Sequence, residues 1–241
     1  MTTTQALSFR RDDDVIHLTA VRPRGDGPFP GLILIPDVRG VSDHYVDVAT
    51  RFAAEGFFTA VIDLYSREGA PDLADMQAVF AWIAALPDPR VLADIEGAVQ
   101  MLAARPEVHA DAIGITGFCL GGQYALMAAC RIARLTACVS WYGMLRYATH
   151  NERKPTSPLE MAPQLECPYL GLFGADDALI PQADVDELRE ILTRTGKTFD
   201  VRVYPDAGHA FFNDARPDAY RPAAAADAFP RAVRFLHEHL G

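Results

Sequence analysis

The amino-acid sequence predicts one α/β domain over residues 1–241, with a mainly parallel, twisted sheet and helices on both faces. Short β-branched runs alternate with segments of helical period along the whole chain, which is the pattern of this fold class. Four of the runs are almost wholly apolar, as strands buried on both faces should be. Half of the residues are hydrophobic, which is enough to bury a sizeable core.

The elements follow from these runs in chain order. Strands are predicted at 15–21, 31–35, 57–62, 112–116, 137–141, 169–173 and 200–204, and the second, fourth, fifth and sixth are the apolar ones. Helices are predicted at 43–55, 74–85, 91–104, 121–131, 183–194 and 223–239. The first of them, for example, carries Tyr45, Val48 and Phe52 in one apolar stripe. Segments 153–158 and 213–222 are predicted as long surface loops, which often shape pockets.

The charge and the cysteines exclude several classes of protein. The chain has 22 Lys and Arg against 32 Asp and Glu, and a formal charge of −10 repels nucleic acids and anionic membranes. Its first residues lack the basic and apolar regions of a signal peptide, so we expect a cytoplasmic protein. No metal site, cofactor or disulfide is indicated, because no CxxC spacing occurs among Cys119, Cys130, Cys138 and Cys167.

A candidate nucleophile lies in the turn Gly117-Phe118-Cys119-Leu120-Gly121, between a predicted strand and a predicted helix. This is the setting of a nucleophile elbow, with sulfur in place of the usual oxygen. The two glycines permit a sharp, strained turn around Cys119. The helix start favours the thiolate, and the Leu120 N–H is placed to bind an oxyanion. The alternative is that Cys119 is a small buried thiol.

An acid and a base follow the cysteine in the order expected for this kind of site. The strand at 169–173 runs into Asp176 and Asp177, and Pro181, four residues beyond Asp177, favours Asp177 over Asp176 as the acid. Whichever is not the acid is expected to cap the turn. The strand at 200–204 leads to His209. Because ligands bind beyond the carboxyl ends of parallel strands, we expect these loops to converge.

Further motifs accompany these residues: Asp63-Leu64-Tyr65, Trp141-Tyr142-Gly143, Gly174-Ala175-Asp176-Asp177 and Gly208-His209-Ala210-Phe211. Together with residues 117–122 they closely resemble the dienelactone hydrolase family, the carboxymethylenebutenolidases, which have the α/β-hydrolase fold. The resemblance implies a triad of Cys119, Asp177 and His209 that hydrolyses a small lactone or ester through a thioester acyl-enzyme. It also implies that the Val38 N–H is the second oxyanion donor.

The chain departs from the family pattern at three positions. Asp37 stands where the family has a glutamate that assists the cysteine, and it acts through water, pairs with Arg39 or only caps its own loop. Asn213 replaces a family arginine that holds the substrate carboxylate, and no arginine lies near Met76, where a second is expected. Candidates for a substitute carboxylate clamp are Arg39, Arg67 or Arg146.

We expect the substrate pocket to include the aromatic residues Phe118, Tyr142 and Phe211, together with Arg39 and Asn213. The expected partner is a small ester or lactone, and the composition is compatible with a monomer. Two other functions fit the same residues. One is a broad carboxylesterase or thioesterase, and the other is a binding domain without catalysis.

Overall fold

The computed structural model describes residues 2–241 and contains an eight-stranded sheet. Its strands are β1 (Thr3–Arg11), β2 (Asp14–Arg22), β3 (Phe29–Ile35), β4 (Phe58–Ile62), β5 (Val108–Phe118), β6 (Leu135–Trp141), β7 (Tyr169–Gly174) and β8 (Phe199–Tyr204). They are ordered β1-β2-β4-β3-β5-β6-β7-β8. The strands from β3 to β8 are parallel to one another, and β2 pairs antiparallel with both of its neighbours, β1 and β4. The predicted mainly parallel sheet is confirmed.

Helices cover both faces of the sheet, as predicted. They are α1 (Asp43–Ala54), α2 (Met76–Ala85), α3 (Asp88–Ala103), α4 (Leu120–Ala129), α5 (Pro158–Met161), α6 (Gln182–Arg194) and α7 (Pro222–Leu240), with a 3-10 turn at Ala162–Gln164. Gly31 of β3 faces Leu102 of α3, whereas its neighbour Leu32 packs with Gly114 beside Leu236 of α7. Because successive strand residues point to opposite faces, α3 and α7 lie on opposite sides of the sheet.

Strand β1 is absent from the predicted elements. Its side chains alternate between exposed and half-buried, and only Leu7 and Phe9 give an apolar signal. The strand forms because it pairs along its whole length with β2 and because Phe9 packs on Gly97 of α3, where a Cβ atom would lie 2.4 Å from the ring. An edge strand of this kind depends on tertiary contacts that no local pattern shows.

The parallel strands set the position of the site. Since they all point the same way, the segments that follow β3, β5, β6, β7 and β8 emerge at one edge of the sheet. Those segments contain Asp37, Cys119, Tyr142, Asp177 and His209. Within residues 2–241, no helix is long and apolar enough to cross a membrane.

Candidate active site

The turn between β5 and α4 holds Cys119 in a strained conformation. Its backbone has φ 55° and ψ −115°, outside the regions that favour a residue with a Cβ atom. The turn is tight because a Cβ at Gly117 would lie 2.0 Å from the carbonyl oxygen of Gly121. The Cys119 N–H donates to the carbonyl of Trp141 at 2.9 Å, which fixes the turn against β6. Such strain is retained where the surroundings over-determine the backbone, typically at functional sites.

His209 and Asp177 meet beside this cysteine. The imidazole Nδ1 lies 2.8 Å from the Asp177 Oδ2 atom, and the Asp177 side chain is completely buried. The other carboxylate oxygen of Asp177 accepts the Leu179 N–H at 2.9 Å, so both oxygens have fixed partners. Asp176 is exposed, and its backbone N–H donates to Ala207. The geometry therefore pairs His209 with Asp177 and leaves Asp176 in the turn.

The other imidazole nitrogen of His209 is directed toward Cys119. His209 Nε2 is buried and has no hydrogen-bond partner of good geometry within residues 2–241. Burial lowers the pKa of His209, but the Cys119 sulfur, followed by the Asp177 hydrogen bond, outweighs burial and raises the pKa to about 10. The influence of the sulfur is thus mainly electrostatic. It favours the protonated, imidazolium form of His209.

The three remaining cysteines are buried away from this site. Burial raises the pKa of Cys130 and of Cys167 to about 12. Burial also raises the pKa of Cys138 well above its ordinary value. These thiols therefore stay protonated at neutral pH, and only Cys119 is partly exposed.

Two backbone N–H groups converge near Cys119. Leu120 is the first residue of α4, so its N–H has no partner within the helix. The Val38 N–H makes no backbone hydrogen bond within residues 2–241. The two segments touch at Gly121, where a Cβ atom would lie 2.1 Å from the carbonyl oxygen of Ile35. This close approach brings the turn after β3 against the start of α4.

Tyr65 supports the turn after β3. Its hydroxyl donates to the carbonyl oxygen of Val38 at 2.8 Å, and its ring packs edge-on against Trp82 at 5.6 Å between centroids. Because the Val38 carbonyl is held in this way, the following backbone is fixed. The motif Asp63-Leu64-Tyr65 marks this residue in the sequence, although the motif alone gives no indication of its role.

Asp37 pairs with Arg39. One carboxylate oxygen accepts the Arg39 N–H at 2.8 Å, and the other contacts the guanidinium at 3.2 Å. Asp37 is buried, whereas about half of the Arg39 side chain is exposed. Of the three alternatives drawn from the sequence, the structure shows the pair with Arg39 and also the loop cap, in which the Arg39 N–H donates to the Asp37 carboxylate.

A cavity of about 190 Å³ opens over Cys119 and His209. Its walls are mostly apolar, α2 contributes four of the fourteen lining residues, and two arginines also line it. The lining residues are Asp37, Val38, Arg39, Met76, Val79, Phe80, Ile83, Cys119, Leu120, Met144, Leu179, His209, Ala210 and Arg216. A larger open hollow of about 520 Å³ lies near Thr50 and Arg24, and none of the groups described above lines it.

The aromatic wall expected from the sequence lies behind this cavity. Phe118 is fully buried and stacks on Trp141 at 5.0 Å, because the last residue of the strand points into the core when Cys119 points out. Tyr142 is buried and contacts the His209 ring edge-on at 5.3 Å, and Phe211 packs behind Tyr142 at the same distance. These three rings support the site and do not line the cavity.

The predicted polar contacts also need correction. Asn213 is buried and accepts the Ala215 N–H at 3.1 Å, so it shapes its own loop. Arg67 pairs with Asp94, and Arg146 pairs with Asp184, both away from the cavity. Of the three candidate clamp residues, only Arg39 lines the cavity.

Arg216 is a lining residue that the sequence analysis does not single out. It lies seven positions after His209, in the loop predicted to shape a pocket. Its nearest carboxylate in the described chain is the exposed Asp218 at 3.5 Å, so its guanidinium is held only loosely. About one-third of the side chain is exposed.

A parallel sheet that carries a strained cysteine turn after β5, an aspartate after β7 and a histidine after β8 defines an α/β-hydrolase. The chain belongs to the dienelactone hydrolase family, whose family model matches residues 16–240. The resemblance drawn from the motifs is confirmed.

Individual known proteins are similar to this chain in sequence and in structure. The chain is 36% identical to a Bradyrhizobium sp. protein named "Probable 2-oxo-3-(5-oxofuran-2-ylidene)propanoate lactonase", over 91% of this chain and 88% of that one. It is 37% identical to an Escherichia coli K12 "Putative carboxymethylenebutenolidase", over 91% and 81% of the two chains. A crystal structure of a "Putative Dienelactone Hydrolase" from Klebsiella pneumoniae superposes with a TM-score of 0.93 at 33% identity, and the match covers 99% of this chain and 100% of that one.

Proposed function

We propose that this hydrolase cleaves a small lactone or an activated carboxylic ester, with Cys119 as nucleophile, His209 as base and Asp177 as the group that orients His209. One observation carries the proposal. His209 is held by Asp177 at 2.8 Å, and its other nitrogen is unpaired in the cavity that Cys119 also lines. A nucleophile, a base and a group that orients the base are the parts that covalent hydrolysis requires.

Acylation begins from the thiolate and the imidazolium. The Cys119 sulfur attacks the carbonyl carbon, and the carbonyl oxygen becomes an oxyanion that accepts hydrogen bonds from the Leu120 and Val38 N–H groups. The tetrahedral intermediate then expels the alkoxide or enolate oxygen, which takes the proton of His209. In a lactone this oxygen stays attached to the acyl chain. The product of the step is a thioester on Cys119.

Acylation also prepares His209 for the second step. A thioester sulfur carries no negative charge, so the main influence that raises the pKa of His209 is removed, while burial continues to lower it. His209 is then a neutral base at ordinary pH. It takes a proton from a water molecule, whose oxygen attacks the thioester carbonyl. The thiolate leaves, and the original ion pair is restored.

The cavity indicates the size and charge of the substrate. A volume of about 190 Å³ exceeds the roughly 150 Å³ that accommodates benzene, so it suits one ring with a short substituent. Apolar walls fit the ring, and the loosely held Arg216, with Arg39 nearby, fits a carboxylate. The similar Bradyrhizobium protein is named for a lactone that carries a propanoate. We therefore favour a carboxylate-bearing lactone.

Asp37 has a different role in this proposal from that of the family glutamate. Both of its oxygens engage Arg39, which fixes the turn that presents the Val38 N–H. Asp37 then acts on the oxyanion site and on the direction of Arg39, rather than on the sulfur. Asp37→Asn keeps the bond to the Arg39 N–H and should lower the rate modestly.

The test replaces the nucleophile. With p-nitrophenyl acetate, Cys119→Ala should lose at least about a hundredfold in rate, because the covalent route is removed. Cys130→Ala removes a buried thiol outside the cavity and is the matched control. Rapid quenching of the wild-type reaction should trap one acetyl group on Cys119, detected by peptide mass. Wild-type turnover in Cys119→Ala would overturn the proposal, and binding of a lactone without turnover by the wild-type protein would favour a binding domain.

A further inference from the structure

A buried ion pair lies behind the elbow helix. Lys154 Nζ is 2.6 Å from Asp88 Oδ1, and the two residues are only 4% and 1% exposed. Burial lowers the pKa of Lys154, and the Asp88 carboxylate opposes this effect. Removing two charges from water is costly, so apolar residues of similar volume would often give equal or greater stability. Such a pair is better explained by the geometry that it imposes.

The Asp88 carboxylate organises two tyrosines. Tyr124 donates to Oδ1 at 2.8 Å, and Tyr147 donates to Oδ2 at 2.7 Å. A phenol has a single proton, so the Tyr147 oxygen is left to accept a hydrogen bond. It accepts one from the Gln123 Nε2 atom at 2.7 Å. We call Lys154, Asp88, Tyr124, Tyr147 and Gln123 the Asp88 network.

The network converges on the first turn of α4. Gln123 ends that turn and Tyr124 follows it, and the Gln123 N–H donates to the carbonyl of Cys119 at 3.1 Å. Asp88 begins α3, and Tyr147 and Lys154 lie in the segment after β6. Two separate parts of the chain, the start of α3 and the segment after β6, thus hold the helix that begins directly after Cys119.

We propose that the Asp88 network is a positioning device for the reaction, which holds the first turn of α4 and thereby directs the Leu120 N–H and the Cys119 side chain. This inference rests on the proposed function, because it assigns a role to the turn only if Cys119 reacts. Among residues 2–241, no member of the network lines the cavity around Cys119. Tyr147 and Lys154 line a neighbouring hollow that shares Phe80, Ile83 and Met144 with this cavity. Because no network member itself faces Cys119, we expect loss of a member to change the rate of the chemical step more than the fit of the substrate.

The direct test is Tyr147→Phe. This change separates Gln123 from Asp88 but keeps the ion pair and the Tyr124 hydrogen bond. Misplacing a reacting group by 1 Å costs about a hundredfold, so a smaller shift of the turn should slow acylation about tenfold. The burst of p-nitrophenol from p-nitrophenyl acetate measures acylation, and the substrate concentration that gives half of the maximal burst rate should stay within about twofold of wild type because the cavity is unchanged.

A matched control is Tyr169→Phe. The Tyr169 hydroxyl is also buried, has no hydrogen-bond partner within residues 2–241 and lies at the start of β7, at the opposite end of the strand from the site. Its removal should leave the acylation rate unchanged. A merely structural role for the network would lower the melting temperature of Tyr147→Phe without changing the burst rate at a temperature where the protein is folded.

Gln123→Met removes the other partner of the same hydrogen bond, and it replaces Tyr147→Phe as the test if that variant does not fold. Where both fold, the double variant should be no slower than the slower single variant, since one bond cannot be lost twice. A wild-type burst rate in both single variants, or fully multiplicative losses, would overturn the positioning role and leave the proposed function standing. A burst that persists in Cys119→Ala would overturn both, so the two failures are distinguishable.

Discussion

Replacing Asp177 with asparagine should leave the shape of the site intact and reverse the proton arrangement of His209. In the native structure one oxygen of Asp177 accepts the Leu179 N–H and the other accepts from the His209 Nδ1 atom. In Asp177→Asn the amide oxygen keeps the Leu179 bond, so the amide nitrogen faces Nδ1 and donates to it. Nδ1 must then be the acceptor, and the proton moves to Nε2, which faces Cys119.

With Nε2 protonated and uncharged, His209 can neither take a proton from the thiol nor activate water. The equivalent change in a serine protease lowers kcat about 10⁴-fold, because the wrong tautomer is held in place. A stopped-flow assay with p-nitrophenyl acetate should show acylation slowed by about 10³-fold or more, a smaller loss than that for serine because a thiol ionises more readily.

Asp176→Asn provides the control, since it makes the same chemical change one residue away on an exposed side chain. It should keep the wild-type rate. If Asp177→Asn were as active as Asp176→Asn, or if Asp176→Asn were the slow variant, the assignment of the acid would be wrong. A crystal structure or a thermal melt of Asp177→Asn would show that the fold is retained.

Three further predictions concern the oxyanion donors, the pH profile and the substrate. In Gly121→Ala the Cβ would lie 2.1 Å from a carbonyl oxygen, so the two segments must separate by about 1 Å, and kcat per reactive thiol should fall about a hundredfold. Gly196→Ala should keep its rate, because no atom lies within 4 Å of the added Cβ and the residue is outside the site, although its φ of 66° means that alanine should lower the melting temperature. Because the pKa of His209 is raised from 6.5 to about 10, the imidazolium persists at neutral pH, and kcat/KM should decline as the pH rises through about 10. In Cys119→Ala, an NMR titration should show a lower pKa for His209, and an unchanged value would contradict the ion pair. Arg216→Gln should weaken the binding of a carboxylate-bearing lactone about tenfold or more, relative to the change in binding of a neutral ester. Equal losses of binding for the two substrates would contradict the anion site.

The residues around Cys119 can be predicted from the sequence wherever a short local pattern determines their position. Glycines at 117 and 121 are needed because backbone atoms approach within the space of a Cβ, and a strand followed by a loop positions Asp177 and His209 regardless of what lies between them. These features can be predicted from the sequence because each depends on only a few neighbouring residues in the chain.

The cavity walls are less accessible to such reasoning. Met76 and Phe80 are recognisable as one apolar stripe, but the same stripe fits a helix packed on the core, and the structure leaves both residues largely exposed at the cavity. Phe118 shows the opposite error. Its position beside Cys119 suggests that it lines the pocket, but the alternation of side chains along the strand directs it into the core. Arg216 reaches the cavity through the path of its loop, which no spacing reveals.

The contrast among the four cysteines has a consequence for oxidative damage. Oxidants attack thiolates that solvent can reach, and protonated thiols in the core are resistant. With Cys130, Cys138 and Cys167 buried, peroxide should form a sulfenic acid first at Cys119, and no second cysteine is partly exposed in residues 2–241 to trap it as a disulfide. Inactivation by peroxide should therefore follow the modification of one sulfur atom per chain. A small-molecule thiol should restore activity until a second oxygen is added, after which the loss is permanent.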